Sequence, residues 1–194
     1  MKNKKDKIPV LLAILFGIII LITCIFNIIE KQWENMFLSL LAFICLPIPF
    51  IIGFIARVKK VQLPKNFLLL TLIFNFSAQY LGEILHFYKI FWWWDLLLHG
   101  AFGSYAAIIG MNLIKGIIRK EAEISEERFF TFKTIFAFTF SITLGTLWEM
   151  FEYIGDLILK TDMLTGGIHD TASDLLINIF TSLLTISIYQ IRNK

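Results

Sequence analysis

The chain has 194 residues, of which 57% are hydrophobic and only 17% are charged, and its formal net charge is +3. A water-soluble domain does not keep so apolar a composition off its surface, so the composition excludes an ordinary soluble fold. The apolar residues come in blocks of about twenty, the length that a helix needs to cross ~30 Å of hydrocarbon. The sequence therefore predicts an integral membrane protein.

The apolar blocks and the charged breaks between them predict six transmembrane helices. In chain order these helices cover residues 9–29, 34–56, 66–88, 94–115, 129–157 and 171–190. The first block follows a basic start but lacks a small-residue cleavage site, so it predicts an uncleaved helix. Pro47 and Pro49 lie inside the second block and predict a kink there. We expect an all-α helical bundle that forms a single domain over residues 1–194.

The distribution of cations predicts the orientation of this bundle. Of the 18 Lys and Arg residues, only Lys31, Lys89 and Lys160 lie outside the N-terminus, the second and fourth connections and the C-terminal tail. Lys and Arg are retained on the cytoplasmic side of short loops, so both termini are expected in the cytoplasm. The tryptophans at 92–94 are then an aromatic anchor at the outer interface. The expected location is a bacterial cell (inner or plasma) membrane.

Ionisable side chains gather near one end of the last four predicted helices. Glu83 and His86 are three residues apart, and Asp95 and His99 are four apart, so each pair is expected on one helical face. The fifth helix carries Glu149, Glu152 and Asp156 on one face, and the sixth opens with Asp170, Asp174 and Asn178. His169 stands at the edge of the preceding loop. Such groups cost ~2.5–3.5 kcal/mol each inside a membrane, so they persist mainly where they pair, bind a ligand or face water.

This set contains all three histidines and no Lys or Arg. Its carboxylates would repel one another if all were ionised, and protonation or bound cations could compensate. Carboxylates with imidazoles on facing helices are typical of metal sites in helical bundles and suit Mg²⁺, Mn²⁺, Zn²⁺ or Fe²⁺. The predicted metal ligands are Glu83, His86, Asp95, His99, Glu149, Glu152, Asp156, Asp170 and Asp174, with Asn178 and His169 as supporting polar residues.

Simpler roles remain open for several of these residues. Hydration near a helix end would explain Glu83 and Asp156, and helix capping would explain Asp95 and Asp170. His169 could be an ordinary loop residue. His86 and His99 could each donate an interhelical hydrogen bond to a carboxylate. Glu149 and Asp174 lie deepest in their helices and are the hardest to explain in these ways.

Three motifs between Gly82 and Asn178 carry a family resemblance. They are Trp93-Trp-Asp95-x-x-x-His99, Trp148-Glu149-x-x-Glu152 and Asp170-x-x-x-Asp174-x-x-x-Asn178. With them the chain resembles the YjdF-type inner-membrane family, whose function is unknown, and more distantly the VanZ-like membrane proteins. The VanZ-like pattern has a glutamine where this chain has Glu152. The resemblance implies a membrane bundle with a shared polar site, and it implies no reaction.

Three functions are compatible with this pattern. The first is a metal-dependent hydrolase or transferase of lipid-linked phosphate, which acts on a lipid or cell-envelope substrate at the outer leaflet with Glu149 or Glu152 as general base. The second is a cation or proton-coupled transporter. The third is a structural polar core, or a membrane protein that binds a partner. The expected partners are membrane lipids and the lipid or envelope substrate, and nothing predicts binding to nucleic acid.

Overall fold

The computed structural model describes residues 7–118, 121–159 and 167–192, and within these ranges the chain is helical without strands. Six of its helical stretches are long and apolar enough to cross a membrane. This confirms an all-α membrane protein with six candidate spans. The helices are α1 (Lys7–Ile29), α2 (Trp33–Cys45), α3 (Ile48–Val58), α4 (Phe67–Phe76), α5 (Phe87–Ile90), α6 (Trp94–Ile117), α7 (Glu126–Leu159) and α8 (Ile168–Arg192).

The contacts divide the chain into two compact units, Met1–Trp94 and Asp95–Lys194. The single domain expected from the sequence stays a prediction. The orientation also stays a prediction. It depends partly on cations outside the described residues, namely Lys2, Lys4, Lys5, Arg119, Lys120, Lys160 and Lys194.

In the first unit, α1 packs against α2 and α4 through a small core. Ile20, Ala42 and Ile84 form its buried cluster. The hydroxyls of Thr23 and Tyr80 are 3.0 Å apart, which joins α1 to the segment that follows α4. Most other large apolar side chains of this unit are exposed, as expected for helices that contact lipid.

The predicted kink in the second span is a complete break. Helix α2 ends at Cys45, and α3 begins at Ile48, directly after Pro47. Proline has no amide hydrogen and cannot continue the ladder of backbone hydrogen bonds, so the break falls where the sequence predicted it. The side-chain amide of Asn75 donates to the carbonyl oxygen of Cys45 at 2.9 Å, which satisfies an acceptor at the break.

The third span differs from its predicted range of 66–88. Helix α4 continues as a π-helical segment over Ser77–Ile84, and Leu85 N–H bonds the carbonyl of Tyr80, five residues back. His86 then adopts a left-handed conformation with φ of 57°, which ends the helix. Glu83 and His86 therefore do not share one helical face, because His86 lies beyond the helical backbone.

In the second unit, α6, α7 and α8 approach closely through small residues. A Cβ atom added at Gly110 of α6 would lie 2.9 Å from the Cα of Ala137 on α7. Around this crossing, Ala107, Met111, Ala137 and Ile186 form a buried cluster, which we call the apolar layer. Such close backbone approach is characteristic of helix packing in membranes. Lipid provides no hydrophobic driving force between helices, and small residues let the backbones come close enough for van der Waals packing.

The last two helices are longer than predicted. Helix α7 spans Glu126–Leu159 instead of 129–157, and α8 spans Ile168–Arg192 instead of 171–190. The residues added at the starts of both helices are mainly polar, and a criterion of apolar length does not detect polar helical turns. As a consequence, His169 lies in the first turn of α8 and is not a loop residue.

Candidate metal-binding site

Helix α6 contributes Asp95 and His99 from its first two turns. Their spacing of four residues places both side chains on one face, as predicted. The His99 ring is buried, and its Nε2 atom lies 3.5 Å from Asp95 Oδ1. The helix opens directly after the aromatic sequence at 92–94, in which Trp92 is 83% exposed. The Asp95 side chain is 25% exposed and the His99 side chain 6%, so Asp95 is the rim residue of this pair and His99 the interior one.

Helix α7 contributes Glu149 and Glu152. Glu149 is only 4% exposed, and its Oε1 atom lies 3.5 Å from the same His99 Nε2. Glu152 is half-buried and accepts a hydrogen bond of 2.8 Å from the indole N–H of Trp148. Trp148 and Glu152 are four residues apart on the helix, so this bond fixes the carboxylate from its own helix face.

Helix α8 contributes Asp174, which is 2% exposed. The carboxylates of Asp95, Asp170 and Glu149 are near enough to act on it electrostatically. Among the described residues, no Lys or Arg forms an ion pair with Glu149, Glu152 or Asp174. The negative charges of this site are therefore gathered without a basic side chain of the protein to balance them.

Together the three helices form two overlapping ligand groups that share His99. One consists of Asp95, His99 and Asp174, and the other of His99, Glu149 and Glu152. In each group one potential ligand atom per residue lies within 4.8 Å of the others. Two ligands on opposite sides of a cation lie about 4.0–4.4 Å apart when each bond is about 2.0–2.2 Å long, so small side-chain rotations would let these atoms converge on one cation. These five residues are called the acid–histidine centre below.

Unbonded polar atoms in this centre also fit a cation. Within the described part of the chain, the two carboxylate oxygens of Glu149 and the Nδ1 atom of His99 make no well-formed hydrogen bond, although all three are buried; the polar neighbours of Glu149 are His99 Nε2 at 3.5 Å and the Thr171 side chain. A buried polar atom without a partner costs about 1–3 kcal/mol, more when it is charged. A bound divalent cation would remove that cost for Glu149, because it supplies the positive partner that the surrounding side chains lack.

Beneath the acids, Asn178 continues the buried polar surface of α8. Ser141 of α7 lies with its hydroxyl 3.2 Å from Asn178 Oδ1 and 2.9 Å from the carbonyl oxygen of Gly103 on α6. A Cβ atom at Gly103 would lie 2.5 Å from Asn178 Oδ1, and one at Gly145 would overlap the Asn178 amide nitrogen. The two glycines thus leave the space that the Asn178 side chain fills.

The remaining predicted ligands do not join the two groups. Asp156 and Asp170 are half-buried near helix ends, and His169 is exposed in the first turn of α8. Asp170 still contributes charge, because it acts electrostatically on Glu149 and Asp174. Glu83 and His86 belong to the first unit, and their role as ligands stays a prediction.

Several residues of this site were not predicted from the sequence. Trp148 entered only through the family motif, and Ser141, Gly103 and Gly145 were not singled out at all. A usable signal is present, since Ala137, Ser141, Gly145 and Glu149 follow one another every four residues along α7. Small and polar residues at that spacing predict a face that packs closely against other helices.

Comparison with known proteins identifies the family. The family model described as "Predicted membrane protein (DUF2238)" matches residues 11–194. The chain belongs to this family. A similar protein from Thermotoga maritima, described as uncharacterized, is 24% identical over 123 residues, which are 63% of this chain and 61% of that protein. The chain thus spans about three fifths of that relative's length. No solved structure matches the chain.

This family assignment agrees with the YjdF-type resemblance, since both describe a membrane family of unknown function. The more distant VanZ-like resemblance is a prediction that these matches do not test. The family description names no ligand, reaction or partner, so any functional argument depends on the geometry of the acid–histidine centre.

Proposed function

We propose that this DUF2238 protein is a metal-dependent membrane hydrolase or transferase that acts on a lipid-linked phosphate, with the acid–histidine centre as its metal site. One observation carries the proposal. Five buried or half-buried ligand residues from α6, α7 and α8 form two groups around His99, each with its ligand atoms within 4.8 Å of one another. Glu83, His86, Asp156 and Asp170 are not needed for this site.

The ligand types favour a hard divalent cation. Four carboxylates and one imidazole suit Mg²⁺, Mn²⁺, Zn²⁺ or Fe²⁺, whereas a thiophilic metal would need sulfur ligands. The two cysteines lie in the first unit and are not part of the centre. Similar sets of carboxylates and histidines on facing helices hold metals in helical bundles.

The protein side chains supply the acid–base chemistry of the proposed reaction. A bound cation would polarise a phosphoryl oxygen and favour deprotonation of a water molecule. Glu149 suits the role of general base, because it is buried beside His99 and its oxygens make no well-formed hydrogen bond within the described residues. Glu152 is held by Trp148 at 2.8 Å and suits the role of a fixed ligand. Asp95 and Asp174 then hold the opposite side of the centre.

The depth of the centre supports a lipid headgroup as the substrate. Asp95 is the second residue of α6, and Asp174 comes six residues after the first residue of α8. At about 1.5 Å per residue, these carboxylates lie within about 9 Å of the helix starts. This is the part of the spans nearest to the lipid headgroups. The basic residues Arg128, Lys133 and Arg192 lie at the opposite ends of α7 and α8, which supports an outward-facing centre.

A cation or proton-coupled transporter is the second candidate, and the buried polar residues of α8 favour it. Asp174, Asn178 and Ser182 follow one another every four residues and are all at most 2% exposed. Asn178 and Ser182 thus continue the buried polar face of α8 for two helical turns beyond Asp174, away from the start of the helix. The next position, Ile186, belongs to the apolar layer, so this polar surface ends before Lys133 and Tyr189 at the other end. We rank the enzyme first for that reason.

Metal content of the detergent-purified full chain tests the proposal. Mass spectrometry should find a near-stoichiometric divalent metal in the wild-type protein and a strong loss in the His99→Gln variant. His169→Gln is the matched control, because it removes an exposed histidine of the same unit outside both ligand groups. This control should keep the wild-type metal content.

Different results would contradict the proposal. Equal metal content in the two histidine variants would show that His99 is not a ligand. Wild-type protein that stays folded but takes up no metal would leave only the transporter or a structural polar core. If metal is bound, hydrolysis of a lipid-linked phosphate by wild type and its loss in Glu149→Gln distinguish the enzyme from a metal transporter.

A further inference from the structure

A cavity of about 710 Å³ lies at one end of the first unit, remote in sequence from the acid–histidine centre. The start of α1, the end of α3 and the start of α4 surround it. The aromatic rings of Phe50, Phe54 and Phe67 line its walls, and Arg57 and Lys65 are its two charged lining residues. This volume is within the range of about 300–1,000 Å³ that is usual for small-molecule sites.

The charges of the first unit are segregated toward this cavity. Within residues 7–94, the three carboxylates Glu30, Glu34 and Glu83 all lie near the opposite helix ends. The cations near the cavity end are Lys7, Arg57, Lys59, Lys60 and Lys65. An anion is therefore attracted to this end of the unit, and no described carboxylate of the unit lies there to oppose it.

The lining also provides an apolar surface with room for a chain. Pro9 and Phe67 are buried, whereas Phe54 remains exposed next to them. Gly53 and Leu68 both line the cavity, and a Cβ atom at Gly53 would reach van der Waals contact at 3.4 Å from Leu68 Cδ2. The absence of a side chain at Gly53 thus keeps this part of the groove open between α3 and α4.

We propose that this cavity binds one anionic phospholipid, with its phosphate at Arg57 and Lys65 and an acyl chain along Phe50, Phe54 and Phe67. A lipid matches both features of the site, since it carries an anion and an apolar chain in one molecule. Anionic lipids are enriched in the cytoplasmic leaflet, and loops rich in Lys and Arg lie on the cytoplasmic side of the membrane. This proposal concerns the first unit only and does not depend on the proposed metal chemistry.

Lipid titration followed by native mass spectrometry tests the assignment on the detergent-purified full chain. Phosphatidylglycerol should bind more tightly than phosphatidylcholine. The double variant Arg57→Gln/Lys65→Gln should weaken phosphatidylglycerol binding about thirtyfold, because each cation near a lipid phosphate contributes about 1 kcal/mol. Lys31→Gln/Lys89→Gln is the matched control, which removes two cations at the other helix ends and should bind phosphatidylglycerol like the wild type.

A cavity-filling variant tests the apolar part of the site. Gly53→Leu keeps both cations and should reduce phosphatidylglycerol binding at least tenfold, since the new side chain occupies the groove. Equal binding by wild type and Arg57→Gln/Lys65→Gln would overturn the proposal. It would also be overturned by complete displacement of the lipid by millimolar inorganic phosphate, which would identify a free anion as the ligand. A second protein copy bound in place of lipid would overturn it as well.

Discussion

The two units bury polar side chains in different ways. In the first unit the buried polar pair is Asn27 and Ser39, and the Asn27 amide donates to the Ser39 hydroxyl at 3.2 Å. In the second unit His99, Glu149 and Asp174 are equally buried, yet the Glu149 oxygens have only His99 Nε2 at 3.5 Å and the Thr171 side chain as polar neighbours and make no well-formed hydrogen bond within the described residues. The Asn27 and Ser39 side chains thus satisfy each other's hydrogen-bonding groups, whereas the second unit leaves carboxylate acceptors that a ligand can use.

This difference shows how to separate packing from function in a membrane bundle. Hydrogen bonds between membrane helices contribute only about 0.6 kcal/mol on average, so a satisfied pair such as Asn27 and Ser39 is explained by packing alone. A buried carboxylate without a hydrogen bond destabilises the folded protein by more free energy than one such interhelical bond contributes. Its presence is therefore evidence for a role beyond helix association. Variants matched between the units test this interpretation.

The largest expected effect comes from neutralising the acid–histidine centre. Metal at a hundredfold excess over its dissociation constant should raise the free energy of unfolding of the wild-type protein by about 2.7 kcal/mol. Glu149→Gln or Asp174→Asn should abolish most of this increase, because each removes a ligand. Thermal unfolding with and without chelator measures the effect. Glu34→Gln, at an exposed site in α2, should retain the full metal response.

With chelator present, the sign of the effect should change. The neutral amides remove repulsion between neighbouring carboxylates, so the two variants should unfold at or above the wild-type temperature. A lower unfolding temperature for both variants in chelator would indicate that the acids stabilise the bundle without metal. The centre would then resemble the structural polar pairs of the first unit.

The next effect in size comes from the glycine beside Asn178. Gly145→Ala should lower the free energy of unfolding by about 1–3 kcal/mol, because its Cβ atom would overlap the Asn178 amide. Gly53→Ala in the first unit is the control, since its Cβ atom makes ordinary contact with Leu68. Chemical or thermal unfolding in detergent compares the two. Equal stability of both variants would contradict the close packing around Asn178.

A smaller effect is expected from the hydrogen bond to Glu152. Trp148→Phe removes the indole donor and should weaken metal affinity about tenfold, which is typical for groups that orient a metal ligand. Trp33→Phe, at an exposed position of α2, should leave metal affinity unchanged. Titration with the metal found in the wild-type protein measures both. An unchanged affinity in Trp148→Phe would remove Glu152 from the ligand set.

The smallest expected effect compares two serines that are both 0% exposed, Ser39 and Ser141. Alanine at either position should cost about 0.6 kcal/mol of stability, because the Ser39 hydroxyl accepts one interhelical hydrogen bond and the Ser141 hydroxyl shares its single hydrogen between Asn178 and Gly103. Only Ser141→Ala should also change metal affinity, since Asn178 lies one turn from Asp174. Metal titration of both variants decides whether Asn178 supports the centre or only the packing.

The sequence predicted the fold well where the physical cause is local. Six apolar blocks of sufficient length predict six spans, and Pro47 predicts the break between α2 and α3. The π-helical segment Ser77–Ile84 was not predicted, because apolar periodicity does not specify whether a backbone N–H bonds the carbonyl four or five residues back. The added first turns of α7 and α8 were not predicted for a related reason, since most of their residues are polar and carry no signal for a membrane span.

The candidate site was predicted in the same uneven way. Spacing along one helix correctly anticipated that Asp95 and His99 share a face, and that Glu149 lies deeper than Asp156. Contacts between helices were beyond sequence reasoning, since His99 and Glu149 are fifty residues apart in the chain. The same holds for Gly103 and Gly145, whose role depends on the Asn178 side chain that fills the space between them.

The apolar layer has an electrical consequence for the membrane that contains this protein. Ala137 and Ile186 separate the polar residues near the acids from the buried Lys133, whose ammonium bonds Tyr189 at the other end of α7 and α8. Ions and protons need polar groups or water to cross hydrocarbon. Under the proposed function, the apolar layer would interrupt a polar path between the two ends of the second unit, so several ionisable groups would lie inside the membrane without discharging the gradient across it.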